Sequence, residues 1–236
     1  MKILLNYADG KFLESQLKNS QSGLAAGFNV VYQMNRSEID SEFAVRHDGI
    51  LSQKRGAGYW LWKSYFINKI LHNMDKNDIL FYSDSGSVFV RRVEPIFQAV
   101  MNDPKGIIGF ALAGGHLEKY YTKRDLFIHM GMNTTEYTDT PQRMASFMCF
   151  RKTPESLAIA LEYSELVSNP HLITDTPNKD GWVEPGFMDH RHDQSIWSLL
   201  TKKHGVTILP DPTQWGVQHG ENTAEHQYLS HTRDPR

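Results

Sequence analysis

Apolar residues in this chain of 236 residues gather in short unbroken runs rather than in strict alternation with polar residues. The clearest run covers residues 79–83 (Ile-Leu-Phe-Tyr-Ser) and leads directly into Asp84, Ser85 and Gly86. A short unbroken apolar run predicts a strand that is covered on both faces. Such strands lie in the middle of α/β sheets, where ligands bind at the carboxyl ends of the strands. The pattern therefore predicts a functional site at Asp84.

Strand-like and helix-like segments alternate along the rest of the chain. The predicted strands are residues 3–7, 28–34, 79–83, 107–112, 145–150 and 206–209, and the predicted helices are residues 12–18, 59–74, 94–101, 154–167 and 193–204. Residues 59–74 give the clearest helix because their apolar side chains fall on one stripe, with Ser64 and Asn68 on the opposite face. The alternation predicts an α/β fold with a mainly parallel central sheet flanked by helices.

Three segments have no clear period. Residues 35–58 and 116–141 are irregular, and residues 171–192, rich in proline, glycine and polar side chains, predict a long surface loop. Loops of this length in compact domains are typically functional or mobile. No repeat or linker divides the chain, so we expect a single domain over residues 1–236. Residues 206–236 would form a C-terminal strand and a tail that the pattern does not locate.

Composition excludes several classes of protein. The net charge of −2 provides no basic surface for nucleic acid or for an anionic membrane. The single cysteine, Cys149, rules out an internal disulfide and a multi-cysteine zinc site, and fits a reducing compartment. The N-terminal apolar run is too short for a signal peptide, and no run approaches the ~20 residues of a membrane span. We therefore expect a soluble, cytoplasmic protein.

Asp84 is the first candidate for chemistry. A divalent cation bound to a substrate diphosphate keeps several waters and needs only one or two protein carboxylates. One aspartate at the end of a central strand meets that need, and Gly86 leaves room for a ligand beside it. The alternative is an ordinary Asp-Ser-Gly turn in which Asp84 caps its own loop.

A second candidate cluster is His-Arg-His-Asp-Gln at residues 190–194. Asp193, at the start of a predicted helix, would accept a proton from an acceptor hydroxyl or support a bound sugar, and Gln194 would hydrogen-bond the same sugar. Aspartate is also a preferred N-cap, which gives Asp193 a purely structural alternative. His190 and His192 would share a face of an extended segment, as metal ligands can.

The segment before β-strand 79–83 carries the most specific motif. Residues 55–63 (Arg-Gly-Ala-Gly-Tyr-Trp-Leu-Trp-Lys), followed by a helix and by residues 78–86, resemble glycosyltransferases of the GT-A fold from bacterial capsule and surface-polysaccharide loci and from large viruses. Residues 122–125 (Thr-Lys-Arg-Asp) and 192–194 (His-Asp-Gln) resemble further motifs of this group, in the same order. The resemblance extends from Met1 to about Gly205.

The resemblance implies roles for individual residues. Asp84 and Gly86 correspond to an Asp-x-Asp motif that holds Mn²⁺ or Mg²⁺ against a nucleotide diphosphate, although Gly86 replaces the second aspartate. Ser85 belongs to the same turn. A C-terminal histidine is an additional metal ligand in several such enzymes; His219 is the first candidate here and His231 the substitute.

Nucleotide contacts are implied in the same way. Asn6, Tyr7 and Ala8, at the end of the first strand, would meet the uracil and ribose of a UDP-sugar. Lys63 and Arg55 would contact the phosphates, and Lys63 lies near a helix N-terminus, where anions bind. The alternative for both cations is simple solvent exposure. For Lys123, Arg124 and Asp125 the choice lies between the acceptor side of a site and surface ion pairs.

Together these observations predict a metal-assisted glycosyltransferase of polysaccharide biosynthesis. It would move a hexose or deoxyhexose from a UDP-linked donor to a glycan hydroxyl, with Asp193 as the catalytic carboxylate. One alternative is a metal-dependent hydrolase built on residues 189–193, which would bind metal without nucleotide. Another is a glycan-binding module, which would be indifferent to UDP.

Overall fold

A computed structural model describes residues 1–232 of the chain and shows one central sheet with helices on both faces. The strands are β1 (Lys2–Tyr7), β2 (Val30–Met34), β3 (Ile79–Ser83), β4 (Ser87–Phe89), β5 (Ile107–Ala111), β6 (Arg143–Arg151), β7 (Thr207–Leu209) and β8 (Leu229–His231). The α-helices are α1 (Leu13–Ala26), α2 (Ser41–Arg46), α3 (Asp48–Leu51), α4 (Gly56–Tyr59), α5 (Leu61–Asn73), α6 (Glu94–Asn102), α7 (Glu118–Tyr121), α8 (Arg124–Met130), α9 (Thr135–Thr138), α10 (Pro154–Val167), α11 (Pro170–Ile173), α12 (Asp193–Lys203) and α13 (Gln214–Gln218).

Six strands form the central sheet in the order β2-β1-β3-β6-β5-β7. Every neighbouring pair is parallel except the two pairs that β6 makes with β3 and β5. The predicted mainly parallel sheet is therefore confirmed. The carboxyl ends of β1, β3, β5 and β7 lie at one edge, together with the start of the antiparallel β6. This edge gathers the candidate residues from β1 and β3.

The central strand β3 is buried on both faces, as its unbroken apolar run predicts. Leu80 and Tyr82 belong to a core that packs under α5, α10 and α12, whereas Ile79 and Phe81 belong to a second core under α6. Each core removes a set of large side chains from water, and burial of one such side chain contributes about 1.5–3 kcal/mol. The two cores hold β3, and with it the turn at Asp84, in a fixed position.

Two helices differ from their predicted form. Helix α1 continues to Ala26, eight residues beyond the predicted end at residue 18, because it buries polar side chains such as Asn19 that hide its apolar period. In α5, the prediction that Ser64 faces away from the core is wrong. The Ser64 hydroxyl lies 3.4 Å from the Ser164 hydroxyl of α10, and Asn68 donates to the carbonyl of Ala160 at 2.8 Å.

The segment after residue 205 returns to the candidate site. Strand β7 lies parallel to β5 at one edge of the sheet, and β8 pairs antiparallel with β4 in a small second sheet. The Thr232 amide donates to the carbonyl of Gly86 at 2.9 Å. Residues 233–236 of the predicted tail lie outside the described residues. Among residues 1–232, no helix combines the length and the apolar character that crossing a membrane would require.

Candidate functional site

Two cavities meet at the carboxyl edge of the sheet. The first, here the β1 cavity, has a volume of about 530 Å³, and its lining includes Tyr7, Ala8, Trp62, Ser85 and Gly86. The second, here the α12 cavity, has a volume of about 320 Å³, and its lining includes Arg55, Lys63, Arg191, Asp193 and Gln194. Trp60 and Asp84 line both cavities. The structure therefore brings most of the predicted site residues to one continuous cleft.

Asp84 lies at the junction of the two cavities because it follows the last residue of β3. Its amide donates to the carbonyl of Ser146 at 2.9 Å, which continues the pairing of β3 with β6. The Tyr82 hydroxyl donates to Asp84 Oδ1 at 2.6 Å, and Lys63 Nζ lies 3.7 Å from the same oxygen. No residue between 1 and 232 donates a hydrogen bond to Oδ2 of Asp84. One carboxylate oxygen is thus held by the protein and the other is available to a ligand.

Asp193 forms a buried ion pair with Lys63. Lys63 Nζ lies 2.5 Å from Asp193 Oδ2 and also donates to the carbonyl of Ala145 at 3.1 Å. The Tyr163 hydroxyl donates to the same Asp193 oxygen at 3.3 Å. Burial raises the pKa of Asp193, and the Lys63 ammonium opposes this rise. The alternative of a solvent-exposed Lys63 is wrong, since only 2% of the residue is exposed.

The carboxylate of Asp193 does not act as the N-cap of α12. The residue in the N-cap position is His192, whose φ of +53° lies in the left-handed region. This conformation costs of order 1–3 kcal/mol. It directs Asp193 into the sheet edge, where it meets Lys63.

The Gly-Ala-Gly motif at residues 56–58 begins α4, the single tight turn that leads into α5. Ala57, Tyr59 and Trp60 all have positive φ, at 52°, 51° and 59°. A Cβ atom on Gly56 would lie 2.3 Å from the Trp60 ring, so only glycine lets that ring pack there. Strained backbone of this kind is stored preferentially at functional sites. The turn sets Trp60 between the two cavities.

The end of β1 contributes Tyr7 and Ala8 to the β1 cavity. The Tyr7 ring stacks on Trp62 with centroids 3.7 Å apart. Its hydroxyl is buried and has no hydrogen-bond partner in residues 1–232, and burial raises its pKa to about 12. The Ser85 hydroxyl donates to the carbonyl of Tyr7 at 2.5 Å, which ties the end of β1 to the Asp84 turn.

Asn6 does not reach either cavity. Because side chains alternate along a strand, it points away from its neighbour Tyr7 and lies fully buried beneath α1. Its side-chain amide donates to Asn19 Oδ1 at 2.8 Å and to Ser20 Oγ at 2.9 Å. Asn19 in turn donates to Ser83 Oγ at 2.9 Å. Asn6 therefore holds Asn19 in place, and Asn19 binds Ser83, the last residue of β3.

Arg55 and Gln194 lie in the wall of the α12 cavity. Arg55 forms exposed ion pairs with Asp175 at 3.3 Å and with Asp189 at 3.9 Å. Gln194 Nε2 donates to Gln142 Oε1 at 3.1 Å. Arg55 can therefore reorient toward a ligand without leaving a buried group unpaired, whereas a movement of Gln194 would release the oxygen of the buried Gln142.

His219 lies apart from Asp84. Its ring atoms approach to 3.4 Å the position that a Cβ on Gly114 would occupy, and it lines neither cavity. His231 is closer to the site in the fold, since β8 sets it opposite Ser87, three residues after Asp84. Its Nδ1 lies 3.0 Å from the Ser87 hydroxyl.

The two histidines of the 190–194 cluster are held by backbone groups. His190 Nε2 lies 2.8 Å from the carbonyl of Leu172, and His192 Nδ1 lies 2.7 Å from the carbonyl of Ile173. Burial lowers the pKa of both imidazoles. Across residues 1–232, no group of three or more His, Cys, Asp or Glu side chains converges as a metal site would require. The predicted hydrolase on residues 189–193 is not favoured.

The Thr-Lys-Arg-Asp motif fastens residues 174–192 over the site. Lys123 Nζ donates to the carbonyl of Thr176 at 2.9 Å, and Asp125 Oδ2 accepts from the Lys179 amide at 3.1 Å. Arg124 forms an ion pair with Asp180 at 2.9 Å. The surface ion pair that we predicted holds for Arg124, whereas Lys123 and Asp125 are buried.

Sequence reasoning missed Tyr82 and Tyr163, which hold the two carboxylates. A signal existed for Tyr82, since a tyrosine in a buried central strand needs a partner for its hydroxyl and Asp84 follows two residues later. No local signal existed for Tyr163, because its partner Asp193 is 30 residues away along the chain.

Solved structures share this architecture. A glycosyltransferase involved in the glycosylation of the major capsid of PBCV-1 aligns over 100% of this chain and 94% of its own, with a TM-score of 0.52 and 12% identity. The galactosyltransferase LgtC, solved with donor and acceptor sugar analogs, aligns over 100% of this chain and 88% of its own, with a TM-score of 0.50 and 13% identity. The bifunctional glycosyltransferase WbbM aligns over 99% of this chain with a TM-score of 0.55 and 11% identity, but the match covers only 46% of WbbM.

No protein-family model and no curated protein matches the sequence. The similarity to the solved structures therefore lies in the fold, at identities of 11–13%. It extends over the whole chain and over most of the capsid-glycosylating enzyme and of LgtC. The resemblance predicted from residues 55–63 and 78–86 is confirmed at this level: the chain has the GT-A glycosyltransferase fold.

Proposed function

We propose that the chain is a glycosyltransferase that moves a hexose or deoxyhexose from a UDP-linked donor to a hydroxyl group of a glycan. The observation that carries this proposal is the position of Asp84, which ends the central strand β3 and borders both cavities. Ligands of open α/β sheets bind at the carboxyl ends of the strands. A nucleotide diphosphate in the β1 cavity would present its phosphates and its sugar to Asp84. The fold shared with LgtC and with the capsid-glycosylating enzyme supports the same assignment.

The β1 cavity suits a nucleoside in size and in chemistry. Its volume of about 530 Å³ falls within the ~300–1,000 Å³ typical of small-molecule sites. The Tyr7 hydroxyl, buried without a partner in the described residues, would hydrogen-bond the base or the ribose. Gly86 has no side chain to keep a phosphate away from the backbone. Ala8 leaves space for the nucleoside at the end of β1.

The residues at Asp84 fit a divalent cation that arrives with the nucleotide. Mg²⁺ and similar ions are often held by one or two carboxylates, by substrate phosphates and by waters. Asp84 offers one available oxygen, and within residues 1–232 no cluster of three or more ligands would bind an ion without nucleotide. His231 is better positioned than His219 to add a ligand, because β8 lies beside the strand that follows Asp84. When bound, Mn²⁺ or Mg²⁺ would neutralise the charge that develops on the departing diphosphate.

The buried ion pair of Lys63 and Asp193 places one positive and one negative charge of the protein in the wall of the α12 cavity. Asp193 borders the α12 cavity, where it would accept the proton of the acceptor hydroxyl or orient the donor sugar. Lys63 holds that carboxylate in place and adds positive charge 3.7 Å from Asp84, on the side where phosphates would lie. Arg55 would approach the phosphates from the cavity rim, and Gln194 would hydrogen-bond the sugar.

Isothermal titration calorimetry with UDP, in the presence and absence of MnCl₂, tests the proposal. We expect Mn²⁺ to strengthen UDP binding by the wild-type chain about tenfold or more, which corresponds to ~1.4 kcal/mol. Asp84→Asn should abolish this gain and leave the fold intact, since an asparagine oxygen still accepts from Tyr82. Asp9→Asn makes the same chemical change at an exposed residue of the same cavity and should retain the gain.

Two results would contradict the assignment. Equal UDP affinity with and without Mn²⁺ in the wild-type chain, or an undiminished Mn²⁺ effect in folded Asp84→Asn, would contradict the role of Asp84. Binding of free oligosaccharide without any affinity for UDP would instead identify a glycan-binding module, which the present geometry does not favour.

A further inference from the structure

A third cavity adjoins the α12 cavity on the side away from the β1 cavity. It has a volume of about 520 Å³, and we call it the Arg143 cavity after the residue at the start of β6 that lines it. Leu112 lines both this cavity and the α12 cavity. Gln142 of the Arg143 cavity accepts a hydrogen bond from Gln194 of the α12 cavity at 3.1 Å. The two cavities therefore adjoin each other at Leu112 and at the Gln142–Gln194 hydrogen bond.

The guanidinium of Arg143 lacks a counter-ion in the described part of the chain. Its Nη1 atom is buried and donates to no acceptor within residues 1–232, and no carboxylate there forms an ion pair with it. Burial lowers the pKa of Arg143, with Glu118 opposing the shift. Arg143 as a whole is half-buried, and a hydrogen-bond donor that is buried without a partner, such as its Nη1, is costly, so proteins pair such groups or use them to bind a ligand.

The nearby carboxylates are engaged elsewhere. Glu118 Oε1 accepts from Lys202 at 2.6 Å and from the Ser198 hydroxyl. Glu118 Oε2 accepts from the Thr122 hydroxyl at 2.7 Å and from Gln142 Nε2 at 3.2 Å. Both oxygens are thus saturated by other donors, and Glu118 cannot serve as the partner of Arg143.

Two acidic residues line the cavity itself, and neither neutralises Arg143. Glu136 and Glu221 are exposed, and Glu221 Oε1 accepts from the Gly114 amide at 3.0 Å. Neither approaches the guanidinium closely enough for an ion pair. The cation remains available to a ligand inside the cavity.

We propose that the Arg143 cavity binds an anionic substituent, a carboxylate or a phosphate, on the acceptor glycan. Arginine matches both groups because its planar fork can donate two parallel hydrogen bonds. Tyr137 and Pro141 line the same cavity and would contact the apolar face of the sugar ring that carries the charge. The inference deepens the proposed function and rests on it in one respect, namely that the acceptor hydroxyl reacts in the α12 cavity.

Ligand-observed NMR titration with three small probes, performed without donor, tests this inference. The probes are methyl β-D-glucuronide, glucose 6-phosphate and the neutral methyl β-D-glucoside. We expect wild type to bind at least one acidic probe about tenfold more tightly than the neutral glucoside, which corresponds to ~1.4 kcal/mol. Whichever acidic probe binds more tightly identifies the substituent as carboxylate or phosphate.

Variants at Arg143 locate the effect. Arg143→Gln should reduce binding of the acidic probe to the level of the neutral one, and Arg143→Lys should retain part of the preference. Arg92→Gln removes an equal charge from an exposed residue outside all three cavities and should change nothing. Equal binding of the three probes by wild type, or an unchanged preference in folded Arg143→Gln or Arg143→Lys, would overturn the inference.

This outcome is separable from that of the proposed function. UDP binding by wild type is measured without acceptor, and the three probes are measured without UDP. If neither acidic probe binds more tightly than the neutral glucoside while Mn²⁺-dependent UDP binding is intact, only the anionic acceptor is rejected. Failure of UDP binding would reject the transferase itself.

Discussion

Each carboxylate at the junction of the two cavities is held by a buried tyrosine hydroxyl. Tyr82 donates to Asp84 and Tyr163 donates to Asp193, and the Lys63 ammonium lies 3.7 Å and 2.5 Å from the two carboxylates. Burial, reinforced by the neighbouring carboxylates, raises the pKa of both phenols well above the ordinary value. Both hydroxyls therefore stay protonated at neutral pH and remain hydrogen-bond donors. They fix the two carboxylates in position and favour their ionised forms.

Tyr163→Phe tests this arrangement through the pH dependence of transfer. Asp193 must be ionised to act as a base or to orient a sugar, and burial has already raised its pKa above 3.8. Without the hydroxyl the ionised form loses a donor, so the pKa rises further and activity is lost at a higher pH. A hydrogen bond of ~1 kcal/mol corresponds to a displacement of about 0.5–1 pH unit in the acid limb of kcat/KM.

The measurement is the pH profile of kcat/KM for donor turnover in wild type and variant. Tyr32→Phe makes the same change at a half-buried residue outside the cavities and should leave the acid limb in place. A lowered rate with an unchanged limb in Tyr163→Phe would mean that the hydroxyl contributes to packing and not to the charge of Asp193.

At the scale of elements, residues 174–192 form a loop that is fastened at its ends and exposed in its middle. Lys123 and Asp125 bind its first half, and Arg55 forms ion pairs with Asp175 and Asp189 near its two ends. Isolated surface ion pairs contribute only ~0–1 kcal/mol each. The Arg55 ion pairs are therefore weak enough to exchange when a ligand enters, whereas the buried Lys123 and Asp125 hold the first half of the loop in place.

We expect donor binding to protect this loop from proteolysis. Lys179 is exposed, so trypsin should cleave after it in the free protein. Bound phosphates would give Arg55 a new partner and the loop a more closed position, so cleavage should slow severalfold with UDP and Mn²⁺. The measurement is the rate of appearance of the two fragments on a gel, with UMP and Mn²⁺ as the control. Equal rates in all conditions would show that the loop does not respond to the donor.

At the scale of the whole molecule, local pattern predicted the elements better than their arrangement. The unbroken apolar run at residues 79–83 predicted both the bounds of β3 and its place in the middle of the sheet. A strand that is buried on both faces shows no alternation of polar and apolar residues. The reversed direction of β6 could not be predicted, since the period of a strand does not encode the direction of its neighbours. Helix α1 was predicted too short because buried polar side chains such as Asn19, which serve the β3 turn, carry no apolar signal.

The choice between the two C-terminal histidines shows the same limit. His219 lies in a glycine-flanked polar segment that suggests a site, whereas His231 reaches the β4 strand only through the pairing of β4 with β8. That pairing joins residues about 140 positions apart along the chain. Contacts of this kind depend on the complete fold, so they can be seen only in the structure.

The final strand β8 provides a test of how the chain end supports the site. Leu229 is fully buried in the second core, beside Phe89 and Phe147. Leu229→Ala should reduce the free energy of unfolding by about 2–4 kcal/mol, the range for a buried leucine. It should also weaken UDP binding in the presence of Mn²⁺, because β8 positions His231 beside Ser87 and leads to the Thr232 amide that binds Gly86.

Urea denaturation and calorimetry measure the two effects separately. Leu161→Ala, at a residue that is 52% exposed, should change stability by no more than ~0.5 kcal/mol and leave UDP affinity unaltered. If Leu229→Ala loses stability but binds UDP normally at a temperature where it remains folded, the strand supports only the core. A loss of both would mean that residues 229–232 hold the Asp84 turn in its binding position.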